Sequence, residues 1–153
     1  MAWEITGTIV VPIDFSGMSV DAVGKACELA ASPDLVHVLH VVPTLDQIAP
    51  GAPGAPGAPG HGLPTDDDRR AAVRQHFSEF LHQHGYHGVR DVVLDGEPDT
   101  VIAEYAATVN AELIVIPSHG YGGFKRLLLG SVAEHVVRSA QCPVLVLRRS
   151  DAE

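Results

Sequence analysis

The chain has 153 residues, 46% hydrophobic and 19% charged, which is enough apolar surface to close one core and too little length for two. Its 19 acidic and 10 basic residues leave a formal charge of -9, a field that repels a phosphate backbone and excludes nucleic acid as a natural partner. No apolar run approaches the roughly 18 residues of a membrane span, residues 1–6 carry no basic cluster, and Cys27 and Cys142 are too few to staple a fold; the expectation is a single cytoplasmic domain over 1–153, off the membrane, with both thiols packed inside.

Ile5 to Pro12 contains the β-branched run Ile9, Val10 and Val11 and breaks into Asp14, Ser16 and Gly17, which favour turns and caps. A buried strand followed by a loop is expected. From Met18 onward Val20, Val23, Cys27 and Ala30 recur at helical spacing, so a helix should reach about Ala31 before Pro33 forbids further winding. Leu35 to Val42 is apolar on both parities except at His37 and His40, as expected of a strand covered on both faces. His40, inside that apolar strand, reads as a core histidine with a satisfied ring.

Pro50 to Gly62 carries three consecutive Gly-Ala-Pro triplets. Three triplets cannot sustain a collagen helix, and proline at that period favours solvated polyproline II, so Thr44 to Thr65 is expected to be a loop. Thr65 then precedes Asp66, Asp67 and Asp68, a cap and three negative charges suited to the start of a helix that runs to about His84 and stops at Gly85. Val89 to Leu94 reads as a strand. Pro98 opens a helix whose apolar stripe is Val101, Ile102, Tyr105, Ala106 and Val109, and Leu113 to Ile116 is a strand that closes at Pro117. Phe124 to Ala140 reads as helical apart from an interruption at Gly130, with Ser131 and Glu134 fitting a Ser-x-x-Glu capping box. Val144 to Leu147 is the last strand.

Such alternation predicts an α/β fold with a parallel sheet, whose ligands sit beyond the carboxyl ends of the strands where strand order reverses. Two ends matter. After the first strand, Asp14 can accept hydrogen bonds from ribose hydroxyls, lie near a phosphate-borne metal, or cap the following helix. After the fourth, Ser118, His119, Gly120, Tyr121, Gly122 and Gly123, followed by Gly130 and Ser131, form a glycine-rich turn at a helix start, which makes an anion pocket. His119 there either meets the ligand or steadies the turn. His82, His84 and His87 do not share one helical face, and no carboxylate or cysteine completes a metal set with them.

Pro12-Ile13-Asp14-Phe15-Ser16, Leu39-His40-Val41, Gly96-Glu97-Pro98, Ser118-His119-Gly120 with nine residues to Gly130-Ser131, and Cys142-Pro143-Val144-Leu145-Val146 together resemble the universal stress protein family. The resemblance runs from Ile5 to Arg148 and omits only the Gly-Ala-Pro segment. It implies an open parallel five-stranded sheet of order 3-2-1-4-5 with helices on both faces, Rossmann-like and related to the adenine nucleotide α-hydrolase-like group. It also implies a homodimer joined through Val144, Leu145, Val146 and Leu147. The family's ATP-binding branch carries glycine, two residues, glycine, nine residues, glycine, then serine or threonine; the matching positions here are Pro117, Gly120, Gly130 and Ser131. Pro117 departs from the pattern because it has no N–H and a fixed φ, so ATP binding, with Mg, is expected to be weakened rather than abolished.

By the same resemblance Asp14 meets ribose or metal, Val41 reads adenine through its backbone, and Pro12, Ile13, Ile116, Pro117, Ser118, His119 and Val132 line the site. The function implied is a dimeric ATP-binding stress-response module with little or no hydrolysis, since no general base or arginine finger can be named. Two alternatives stand beside it. One is a nucleotide-free dimeric scaffold, which Pro117 keeps open. The other is an AMP-forming enzyme of the related group, but Asp14-Phe15-Ser16-Gly17 matches neither a Ser-Gly-Gly-x-Asp-Ser nor a His-x-Gly-His loop.

Overall fold

The computed structural model describes residues 3–45, 64–119 and 129–148. The Gly-Ala-Pro segment, Gly120 and residues 121–128 lie outside them. Within them, β1 (Ile9–Pro12), α1 (Gly17–Leu29), β2 (Val36–Val42), α2 (Asp66–Gln83), β3 (Arg90–Asp95), α3 (Pro98–Thr108), β4 (Leu113–Pro117), α4 (Ser131–Ser139) and β5 (Val144–Leu147) follow in order. The strands form one parallel sheet of order β3-β2-β1-β4-β5, as expected.

All four residues of β1 are buried, and alternate side chains of a strand face opposite ways. Ile9 and Val11 therefore join Ala22, Val23 and Ala26 of α1 and Phe77, Phe80 and Leu81 of α2 on one face. Val10 joins Ile102 and Ala106 of α3 and Ala133 and Val136 of α4 on the other. This split is what right-handed crossovers dictate when the chain winds outward from β1 in one direction and then, after β3, in the other. The gap between β1 and β4 is thus the reversal point. Cys27 packs in the first layer and Cys142 in the second, and burial raises both thiols above their ordinary range.

Element ends shift from the sequence reading for identifiable reasons. β1 begins at Ile9, and Ile5 instead forms an isolated bridge with Ala30. That bridge, with Ile5 N–H donating to Leu29 O at 2.7 Å and Ala31 N–H to Ile5 O at 2.8 Å, pulls Ala30 into an extended conformation and ends α1 at Leu29 rather than about Ala31. A single 3-10 turn at Pro33–Leu35 delays β2 to Val36. At α2 the expected cap forms as a full capping box: the Asp68 N–H donates to Thr65 Oγ1 at 3.1 Å and the Thr65 N–H to Asp68 Oδ2 at 2.9 Å.

The capping box expected at Ser131 and Glu134 does not form. Gly130 is the N-cap, Ser131 is already the first helical residue, and no side chain caps the helix. The cause is tertiary: the Gly130 N–H donates to Ser118 O at 2.6 Å, and the Gly130 carbonyl accepts the first helical bond from the Glu134 N–H at 2.9 Å. The helix start is set by this tie to β4, one residue earlier than the serine pattern implies.

Candidate functional site

The turn after β1 is built by side chains. The Ile13 N–H donates to Leu39 O of β2 at 2.8 Å, and the Ile13 carbonyl lies 2.8 Å from His40 Nδ1. A carbonyl can only accept, so Nδ1 carries the proton and donates. Asp14 Oδ1 accepts from the Ser16 N–H at 3.0 Å and from Ser19 Oγ at 2.9 Å, while Ser19 Oγ accepts the Asp14 N–H at 3.1 Å. Asp14 therefore folds the start of α1, one of the three roles left open by the sequence, with one carboxylate oxygen committed to it. Ser19, fully buried, was not singled out from the sequence; an Asp placed two residues before the N-cap Ser16 was the available signal.

Phe15 has φ +65°, a left-handed conformation that costs a bulky residue roughly 1–2 kcal/mol. Its ring lies 4.6 Å from His40 and His76 and 5.5 Å from Phe77 and Phe80, centroid to centroid. Burial holds the His40 imidazole below its ordinary pKa; the bond to Ile13 and the nearby Asp14 oppose this, and His76 adds to it. The ring of His40 is thus partnered, as the sequence suggested, but half-buried rather than part of the core.

The end of β4 is held to β5 and to the start of α4 through backbone. The Ser118 N–H donates to Leu147 O at 2.8 Å and its carbonyl accepts from Gly130. A Cβ added at Gly130 would lie 3.2 Å from Ser118 O and 3.7 Å from His119 Cα, so glycine eases the close approach here and is not called for by an unusual φ, which is -68°. The Gly130 amide, expected to face an anion, is consumed by Ser118. The first-turn donors of α4 are instead the amides of Ser131, Val132 and Ala133, which have no acceptor inside the helix. His119 Nδ1 lies 3.1 Å from Ser118 Oγ, and His119 Nε2 is buried with no hydrogen-bond partner among the described residues.

β1 and β4 pair at Ile9–Leu113 and Val10–Ile114, and no pairing between them continues toward Pro12 and Pro117. Amides alternate sides along a parallel strand. Since the Ile13 amide turns to β2 and the Ser118 amide to β5, positions 12 and 117 are those whose amides would face the gap. Both are proline, so two donors that would lack a ladder partner are absent. Of the other predicted lining residues, Val41, Ile116 and Val132 share the α3/α4 layer, whereas the Ile13 side chain is buried in the α1/α2 layer and its backbone N–H and carbonyl both turn to β2. Gly120 lies outside the described residues. His82, His84 and His87 are exposed at the far end of α2, and among the described residues no three His, Cys, Asp or Glu side chains cluster as a metal site.

The model of the Universal stress protein family matches residues 6–148. The chain belongs to this family. Among its relatives, a universal stress protein of Methanocaldococcus jannaschii is 31% identical over 160 residues, which cover 95% of this chain and 84% of the relative. Two solved structures share the fold. The universal stress protein of Archaeoglobus fulgidus in complex with dAMP superposes with a TM-score of 0.58 at 23% identity, covering 93% of this chain and 98% of that one. A universal stress protein in complex with cAMP gives 0.59 at 21% identity, covering 92% and 95%. Within this universal stress protein the two strand ends of the family motifs flank the reversal point of the sheet, and no helix among the described residues is long and apolar enough to cross a membrane.

Proposed function

We propose that this universal stress protein binds an adenine nucleotide, ATP with Mg in the first instance, across the β1/β4 gap, and acts as a dimeric stress-response module with little or no hydrolysis. The observation that carries the reading is the docking of the start of α4 onto the end of β4, with the Gly130 N–H 2.6 Å from Ser118 O. It brings the first-turn amides of Ser131, Val132 and Ala133, which have no acceptor inside the helix, beside the gap, where a helix start favours phosphate. Asp14 on the opposite side supplies an acceptor for ribose or a carboxylate for a phosphate-borne metal, and His119 Nε2, buried without a hydrogen-bond partner among the described residues, suits a polar ligand atom. The described residues build no metal cluster of their own, so Mg would arrive with the phosphates. The nucleotides in the two solved relatives support adenine as the base. One helix start contributes only about 0.3 to 1 kcal/mol in exposed settings, so micromolar affinity, about -8 kcal/mol, draws chiefly on burial of the base and on ribose contacts.

Calorimetric titration with ATP, AMP and cAMP, with and without Mg, tests the proposal. Micromolar to submillimolar binding is expected, and no heat at millimolar nucleotide overturns it in favour of a nucleotide-free scaffold, the reading that Pro117 supports. The proposed dimer joins β5 edges. Val144 to Leu147 are four half-buried apolar residues at the sheet edge with no charge or proline among them, an edge that invites pairing. The carbonyls of Pro143 and Leu147 turn to β4, so by alternation Val144 and Val146 present their amides outward. Val146→Pro removes an outward donor and leaves the β4 ladder intact. Sedimentation should show a folded monomer, and an unchanged dimer would refute the β5 interface.

A further inference from the structure

We infer that Phe15 is a positioning residue: its ring, held among side chains of β2 and α2, keeps the left-handed turn that fixes the Asp14 carboxylate at the end of β1. The inference rests on the reading of that end as half of the nucleotide site. Three observations carry it. Phe15 stands between Asp14 and Ser16 with φ +65°, in a region that glycine enters freely and a bulky residue enters only when its surroundings compel it. Its ring is surrounded by His40 and His76 at 4.6 Å and by Phe77 and Phe80 at 5.5 Å, three of these contacts edge-on. The backbone on either side is tied down: Ile13 by Leu39 and His40, and Asp14 by Ser16 and Ser19. Rotation of residue 15 to negative φ would therefore have to break the Asp14–Ser16 bond or withdraw the ring. The ring contacts oppose that rotation, so α2 secures the geometry of a carboxylate it does not touch through any of these bonds.

The test separates holding the turn from filling the core. Phe15→Ala and Phe15→Gly remove the same ring, but only glycine accepts φ +65° without penalty. Two readouts are taken on the folded full-length proteins: the dissociation constant for ATP with Mg, and hydrogen exchange of the Ser16 amide, which Asp14 Oδ1 protects. In Phe15→Ala the nucleotide should bind about tenfold more weakly and the Ser16 amide should exchange at least tenfold faster, with α1 interior amides unchanged. In Phe15→Gly both effects should be threefold or less, and Phe15→Tyr should restore both nearly to the parent values. Equal losses in the alanine and glycine variants, or a larger loss in glycine, would reduce Phe15 to core packing and overturn the inference. If the parent protein binds no nucleotide, the functional proposal fails, while the exchange comparison needs no ligand and still decides the role of Phe15.

Discussion

The ends of β1 and β4 face the same gap and are held by different means. At β1 the turn depends on side chains: Asp14 accepts from Ser16 and Ser19, His40 donates to Ile13, and Phe15 sits in an aromatic cluster. At β4 the described contact is made by backbone: Ser118 O receives the Gly130 amide in a space that a Cβ would crowd. A side-chain turn should degrade in steps as its groups are removed. A close backbone contact leaves little room for a larger side chain and should fail more abruptly. Gly130→Val tests the second statement and has the largest expected effect. With Cβ already 3.2 Å from Ser118 O, the branched methyl groups must push α4 off β4. Overpacking of this kind costs about 1–3 kcal/mol, and displacing the first-turn amides should weaken nucleotide binding more than a hundredfold. Calorimetry together with thermal melting checks both effects, and unchanged affinity with a lowered melting temperature would confine Gly130 to the turn.

At the β1 end, Asp14→Ala should cost less. The Ser16 amide and the Ser19 hydroxyl lose their acceptor, and Ser19 is fully buried, so a loss of about 1–2 kcal/mol is expected from urea unfolding, with nucleotide affinity down about tenfold. A smaller effect follows from His40. Its pKa in the folded protein lies below the ordinary 6.5, chiefly through burial, so the unfolded chain takes up the proton first. Stability should therefore fall as pH drops through 6.5 toward the folded value and level off below it. His37, also held down by burial and by Arg90, acts with the same sign. His40→Asn, which places an amide donor near the position of Nδ1, should flatten the slope in part. An unchanged slope would show that His40 does not contribute to it.

The same contrast explains what could be read in advance. The element order and the cap at Thr65 depend on residues a few positions apart, and periodicity, proline and aspartate record them directly, whereas the strand order came from the family resemblance. The identity of the two strand ends was also legible, because Asp14 and the glycine spacing at Gly120, Gly130 and Ser131 carry a family pattern. The start of α4 was misread because Ser131 and Glu134 satisfy a local capping rule that the tie between Gly130 and Ser118 overrides. The left-handed Phe15 could not be read at all: Gly17 is the nearby residue suited to positive φ, and the ring contacts that stabilise Phe15 come from Phe77 and Phe80, more than sixty positions away.

The smallest effect should come from shortening the Gly-Ala-Pro segment, which lies between the elements holding the β1 end. Its two flanks are already joined: the Leu45 N–H donates to Asp66 Oδ1 at 3.2 Å, and Arg69 pairs with the same carboxylate at 3.2 Å. Arg70 reaches across to Asp95 at the end of β3 at 2.9 Å, so α2 is tied to the sheet independently of the chain that leads into it. Removing residues 51–60 leaves these contacts in place and shortens the closed loop from about 22 to about 12 residues, a gain of only about 0.5 kcal/mol in closure entropy. The melting temperature should move by less than about 3 °C, upward if at all, and the Phe15 ring contacts with α2 should be unaffected. A fall of several degrees, or a loss of nucleotide affinity like that expected for Phe15→Ala, would mean that the segment itself supports the side-chain-built turn. The β1 end would then depend on a third element, beyond β2 and α2.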